Sequence, residues 1–307
     1  MRFIKYLFLL SPLIIFVVIS TAKESGKYSQ PLGSKINPIK IFFTPSVDAN
    51  QITSTADELV KFLEKETGYY FVTAVPADYV TVVESFGSSK ADVAIINTFS
   101  YLLANQKFGT SAKLRIVRDG GETFYRGCFL VRSNSGIDSI QQLSGKRIAY
   151  VDASSTSGYI LPKALLTKEN IKTSDEVMAK KHDNVVTMVY QGQVDAGATY
   201  YSPTDENGFP RDARERVVTQ YPDVFQKIKV IALTEQIPND PVIFRAGLPK
   251  EMTEKLVDAL LKFVSTPSGQ EALYRIYNVK QLIRTEDSDY DVLRDILKRI
   301  NFKLEAN

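Results

Sequence analysis

The sequence predicts an α/β fold of two lobes, with mainly parallel strands and a cleft between the lobes. Three observations predict it. Short apolar strand-like runs alternate with segments of helical spacing. The alternation breaks near residues 119–132, where two strand runs follow one another around Asp119-Gly120-Gly121, and a second strand pair near 228–245 looks like the return crossover. The length of 307 residues suits two domains or one large one.

The elements follow in order. Ile39–Phe43 reads as a strand. Residues 49–67 read as a helix, with Ala56, Leu59, Val60 and Leu63 on one face. Strand 70–75, short helix 80–86, buried strand 92–97 and helix 101–107 complete the first alternating unit. Strands 114–117 and 125–132 form the break. Helix 140–143, strand 147–151, a helix from about Tyr159, helix 184–191 and strand 196–200 resume the pattern. A polar helix is expected over 212–225, strands over 228–233 and 242–245, and helices over 251–264, 269–276 and 290–300. On this reading residues 38–128 and 235–307 form lobe 1, and residues 129–234 form lobe 2.

The N-terminus, MRFIK followed by YLFLLSPLIIFVVIST, has a basic start and an apolar run. Ser20 and Ala22 are small residues placed for cleavage. Residues 1–22 are expected to be a signal peptide or a retained membrane anchor, and 23–37 a linker. The chain would then be exported, to the periplasm or the outer face of the cytoplasmic membrane. Without residues 1–22 the chain carries 36 basic and 35 acidic side chains, because only Arg2 and Lys5 are lost. That balance excludes the basic stripe of a nucleic-acid protein. The single cysteine, Cys128, excludes an internal disulfide.

The stretch DASSTSGYILP, residues 152–162, is the densest in chemistry. It lies between a strand and a helix, where ligands of open α/β sheets bind. First-turn backbone N–H groups have no helical partner and carry partial positive charge. The hydroxyls of Ser155, Thr156 and Ser157 add donors that rotate to suit a tetrahedral oxyanion. Gly158 permits close backbone approach, and Pro162 fits a first helical turn. The same hydroxyls also suit a plain helix cap, so residue types alone leave both readings open. His182, the only histidine, precedes a helix and can donate to the same oxyanion. Asp240, between two prolines, is either an acceptor for a protonated ligand oxygen or a turn residue.

Enzyme motifs are missing. Gly145-Lys146 is followed by Arg147 and residue 140 is Ile140, so there is no P-loop, and no G-x-G-x-x-G follows a strand. Ser157, His182 and Asp195 are the types of a triad, yet no G-x-S-x-G elbow presents the serine. One histidine and one cysteine do not make a transition-metal site. No catalytic residue, metal or cofactor is expected.

Four stretches together resemble one family: ADYVTVVES, DASSTSGYILP, KKHDNVVTMVYQGQVDAGA and LTEQIPNDPVIFR, in order along residues 38–285. They are similar to the PhnD-like phosphate/phosphite/phosphonate-binding proteins of ABC importers, and this resemblance implies the two-lobed type II periplasmic-binding-protein fold, each lobe a mixed sheet flanked by helices. The resemblance implies that Ser155, Thr156 and Ser157 anchor phosphonate oxygens. His182 would meet them from another side, Asp240 would contact the ligand from the crossover, and Tyr79 would line the cleft. Two departures concern the ligand. Ile96 or Asn97 stands where some members carry an aromatic residue, and Ser202 stands where aminoalkyl-phosphonate binders carry a carboxylate. Tyr200 and Tyr201 would make the pocket small or stack on a substituent. The resemblance thus implies a monomer that binds a small oxyanion and delivers it to an ABC transporter permease. Alternatives are a ligand-sensing module for a membrane signalling partner, a binder of a larger phosphorylated or cationic molecule, and a hydrolase using Ser157 and His182.

Overall fold

The computed structural model describes residues 30–205 and 207–302. The expected signal peptide or anchor, and most of the expected linker, lie outside these residues. Among the described residues, eleven strands form two mixed sheets. The first holds β1 (Ile39–Phe43), β2 (Phe71–Ala74), β3 (Val93–Ile95), β4 (Ser111–Val117), β10 (Pro241–Phe244) and β11 (Gln281–Arg284), in the order β11-β4-β10-β3-β1-β2. The second holds β5 (Phe124–Arg132), β6 (Arg147–Tyr150), β7 (Asp175–Met178), β8 (Ala196–Tyr201) and β9 (Ile228–Pro238), in the order β7-β6-β8-β5-β9.

In the first sheet β1 runs parallel between β2 and β3, with Ile39 opposite Phe71 and Ile41 opposite Val93. β10 inserts antiparallel between β3 and β4. In the second, β5 pairs antiparallel with β8 and β9, while β6 runs parallel to β8 and β7. The helices are α1 (Ala49–Thr67), α2 (Tyr79–Gly87), α3 (Thr98–Phe108), α4 (Leu161–Lys168), α5 (His182–Tyr190), α6 (Val224–Lys227), α7 (Lys250–Ser265), α8 (Pro267–Tyr277) and α9 (Asp291–Arg299). No helix among the described residues is long and apolar enough to cross a membrane.

Helix α1 shows why the periodicity was readable. Asp48 caps it by accepting from the Asn50 amide at 2.9 Å, Gly68 ends it in the left-handed region, and Ile52, Ala56, Leu59 and Leu63 are buried along one stripe. They join Ile39, Ile41, Phe43 and residues of α7 and α8 in the core of the first sheet. A second cluster joins the two sheets: Ala94, Ile96 and Phe99 pack with Tyr125, Ile160, Leu161 and Ile237, and with Leu293 and Ile296 of α9.

The chain leaves the first sheet through residues 118–123 and returns through Asn239 and Asp240. β5 and β9 pair with each other in the second sheet from Phe124 opposite Pro238 to Arg132 opposite Ile228. The two crossovers are tied together. The Asn239 side-chain amide donates to the carbonyls of Ile116 and Glu122 at 3.0 and 2.8 Å, and the Ile116 amide donates to the Asp240 carbonyl at 3.1 Å.

The polar helix expected over 212–225 is not formed. A tight turn covers Ala213–Val217 and a single helical turn covers Val224–Lys227. Pro222 disfavours helix for the residue before it and breaks the run. Strands β7 and β11 were not expected. Both are four-residue edge strands of polar composition, DEVM and QLIR, without an apolar run to announce them.

Candidate ligand-binding site

The site is built from the starts of helices at the carboxyl ends of strands, where unpaired N–H groups and dipoles favour negative charge. Tyr79 opens α2, which Asp78 caps by accepting from the Thr81 amide at 2.7 Å. Asn97 caps α3, its Oδ1 accepting from the Ser100 amide at 3.1 Å. His182 opens α5. After β6, Ser155 accepts from the Gly158 amide at 3.1 Å and caps a turn at Thr156–Ile160 that leads into α4. This turn is wider than the α-helix expected there. The Ile160 amide reaches back five residues to the Ser155 carbonyl at 2.9 Å, a geometry that recurs at functional sites. Pro162 sits in the first turn of α4, where its missing N–H costs nothing.

These helix starts meet around a void of ≈ 50 Å³, room for a few waters or one small oxyanion. Tyr79, Asn97, Ser155, Ser157, His182, Tyr200 and Asp240 all line it. Thr156, the remaining candidate, does not. Its hydroxyl donates to Asn97 Oδ1 and accepts from the Phe99 amide, both at 2.9 Å, so it ties the second sheet to the start of α3. Tyr201 and Ser202 also lie away from the void, whereas Ile96 lines it. Among the described residues no cluster of three or more His, Cys, Asp or Glu side chains could hold a metal ion.

Among the lining residues not singled out in the sequence are two arginines and two tyrosines: Arg118, Tyr125, Arg216 and Tyr277. Arg118 and Asp240 sit on the two crossovers and approach to 3.8 Å. The Tyr125 hydroxyl donates to Asp240 Oδ1 at 3.3 Å, and the Thr98 hydroxyl lies 3.5 Å from the same oxygen. Burial raises the Asp240 carboxyl above the ordinary range, against the pull of Arg118, Tyr125 and Thr98. The Tyr277 hydroxyl donates to the Thr44 carbonyl at 2.8 Å.

His182 Nδ1 lies 2.7 Å from Thr199 Oγ1, and its ring meets Tyr200 edge-on at 5.0 Å between centroids. Burial, then Arg216 and Arg118, push it down to about 3, so it is neutral at physiological pH. The contact suits either neutral tautomer: where the Thr199 hydroxyl donates to Nδ1, the proton sits on Nε2. Tyr79 is 2% exposed, and its hydroxyl is buried with no hydrogen-bond partner in the protein. The Arg118 Nε–H is likewise buried and unpartnered. The pocket therefore has more donors than acceptors and suits an anion with several acceptor oxygens.

Comparison with known proteins agrees with that chemistry. Residues 41–290 match the family described as ABC transporter, phosphonate, periplasmic substrate-binding protein. The chain is 28% identical over 273 residues to the phosphate-import protein PhnD of Mycolicibacterium smegmatis, covering 82% of each chain. It is 24% identical over 221 residues to the phosphonates-binding periplasmic protein of Escherichia coli, covering 70% of this chain and 62% of that one. PhnD1 of Prochlorococcus marinus in complex with methylphosphonate has the same fold, with a TM-score of 0.72 at 17% identity over 86% of this chain and 98% of that one. XAC2383 from Xanthomonas citri bound to ATP also shares it, with a TM-score of 0.68 at 21% identity over 87% and 99%. The fold is that of the type II periplasmic binding proteins, and the chain belongs to the family of periplasmic phosphonate-binding, substrate-binding proteins of ABC transporters.

Proposed function

We propose that this protein binds a small phosphate-, phosphite- or phosphonate-class oxyanion outside the cytoplasm. As a monomer, it hands the anion unchanged to the permease of an ABC importer. The two sheets act as lobes that close on the ligand. The observation that carries this reading is the Tyr79 hydroxyl, buried in the pocket wall and lacking a protein partner. A buried hydroxyl left without an acceptor is costly, and an oxyanion supplies one. The turn at 155–158, Tyr79 and neutral His182 hold the anion through dipoles. Asp240, as an acceptor-only carboxylate beside Arg118, favours a ligand oxygen that carries a proton and disfavours sulfate-like anions. A void of ≈ 50 Å³ opposes a nucleotide-sized ligand.

Calorimetric titration with phosphate, phosphite and methylphosphonate tests this. One of them is expected to bind one-to-one. The Tyr79→Phe variant removes a hydroxyl that no protein group uses, so it should fold with unchanged thermal stability. It should bind roughly ten- to a hundredfold more weakly, the loss of one hydrogen bond to a charged acceptor. Folded protein that gives no heat with any of the three would overturn the proposal, as would a Tyr79→Phe variant of unchanged affinity.

A further inference from the structure

The charge of the pocket turns on Arg216. Arg118 has Asp240 as an ionic neighbour at 3.8 Å. Arg216 forms no ion pair with any carboxylate among the described residues. Its guanidinium donates to the Tyr200 hydroxyl at 3.2 Å, the Arg275 carbonyl at 2.8 Å, the Ile276 carbonyl at 3.1 Å and Asn278 Oδ1 at 2.9 Å. Every one of these acceptors is uncharged. A guanidinium does not give up its proton in a protein. A full positive charge therefore stands at the pocket wall with no carboxylate in contact, Glu215 and Asp183 acting on it only from a distance. It is also pinned, since its acceptors lie on β8 and at the end of α8, and it cannot swing away from a cation carried in by a ligand.

The pocket offers such a cation nothing else. Asp240 is its one carboxylate and already faces Arg118. His182 is beside Tyr200 and Arg216. Ser202, where the sequence comparison placed the discrimination against amines, does not reach the void.

We propose that Arg216 fixes the charge class of the ligand: oxyanions with hydrogen, hydroxyl or neutral alkyl substituents are accepted, and aminoalkyl phosphonates are rejected. An ammonium in this pocket would lose its hydration and meet a fixed guanidinium without a free carboxylate to answer it. The proposal rests on the oxyanion reading and narrows it to a substrate class.

The test separates charge from size by pairing two ligands of nearly equal volume. The protein and its Arg216→Gln and Arg216→Lys variants are titrated with 2-hydroxyethylphosphonate and 2-aminoethylphosphonate, with methylphosphonate as reference. The unaltered protein should prefer the hydroxyl ligand by ~10-fold or more, the scale of one close like-charge contact. Arg216→Gln should weaken methylphosphonate and bring the hydroxyl-to-amine ratio toward one. Arg216→Lys should keep the ratio at lower overall affinity, and it decides the matter if the Gln variant binds too weakly to titrate. An unchanged ratio in the Gln variant, a ratio lost in the Lys variant, or equal rejection of both ligands by the unaltered protein would overturn the role of Arg216. Failure of methylphosphonate, phosphate and phosphite alike to bind the unaltered protein would instead sink the oxyanion reading itself.

Discussion

His182 is the only histidine of the chain, which makes its ionisation separable from every other group. Its folded value of about 3 lies below the ordinary 6.5. As pH falls through 6.5 the unfolded chain takes up a proton that the folded chain refuses, so stability falls toward about pH 3 and is fully present only above 6.5. Asp240, raised by burial, acts in the opposite sense: its ionisation costs stability as pH rises through its folded value. The His182→Asn variant should therefore lose less stability than the unaltered protein between pH 6.5 and 5, where ordinary carboxylates stay ionised. Denaturant titrations at the two pH values check this, and parallel losses would remove His182 as the cause. At this scale the polar residues at strand-to-helix junctions were legible, because Ser155, Ser157 and His182 sit where dipoles gather. Arg118 and Arg216 were not. An arginine in a polar segment usually means a solvated surface, and nothing near Arg216 in sequence shows that its head reaches the end of α8, about sixty residues onward.

The element that matters most is the turn from β6 to α4. Gly158 was expected to let a ligand approach the backbone, but the close approach is internal. A Cβ at this position would lie 2.4 Å from Val151 Cγ2 and 2.9 Å from Ser155 Oγ. Val151 is fully buried and cannot yield. Gly158→Ala should therefore cost about 1–3 kcal/mol of stability and displace Ser155 and Ser157. Thermal denaturation and ligand titration should both register it, and a variant normal in both would show that the turn tolerates the extra carbon. The long helices and central strands were legible by period. The edge strands β7 and β11 and the broken segment at 212–225 were not, because pairing partners and a proline, rather than apolar spacing, decide them.

For the whole molecule the question is what holds the sheets together around the pocket. Thr156 contributes without lining the void, by bonding Asn97 and the Phe99 amide. Thr156→Val keeps the shape and removes both bonds. Ligand affinity should fall roughly tenfold, although no lining atom changes, and small-angle scattering should show the ligand-bound form more expanded. Unchanged affinity would mean that the packing of Ile96 and Phe99 against Ile160 and Leu161 suffices. The two-lobe plan was legible from the interrupted alternation. That the crossovers also supply pocket residues was visible only in part, through Asp240.

The tied crossovers have a kinetic consequence. On the proposed closure of the lobes, Arg118 and Asp240 lie in the segments that flex as the sheets part, so opening the cleft and loosening the ligand would be a single event. Ligands that differ in affinity would differ mainly in residence time, because each adds its own grip to the barrier against flexing, while they enter the open cleft at similar rates.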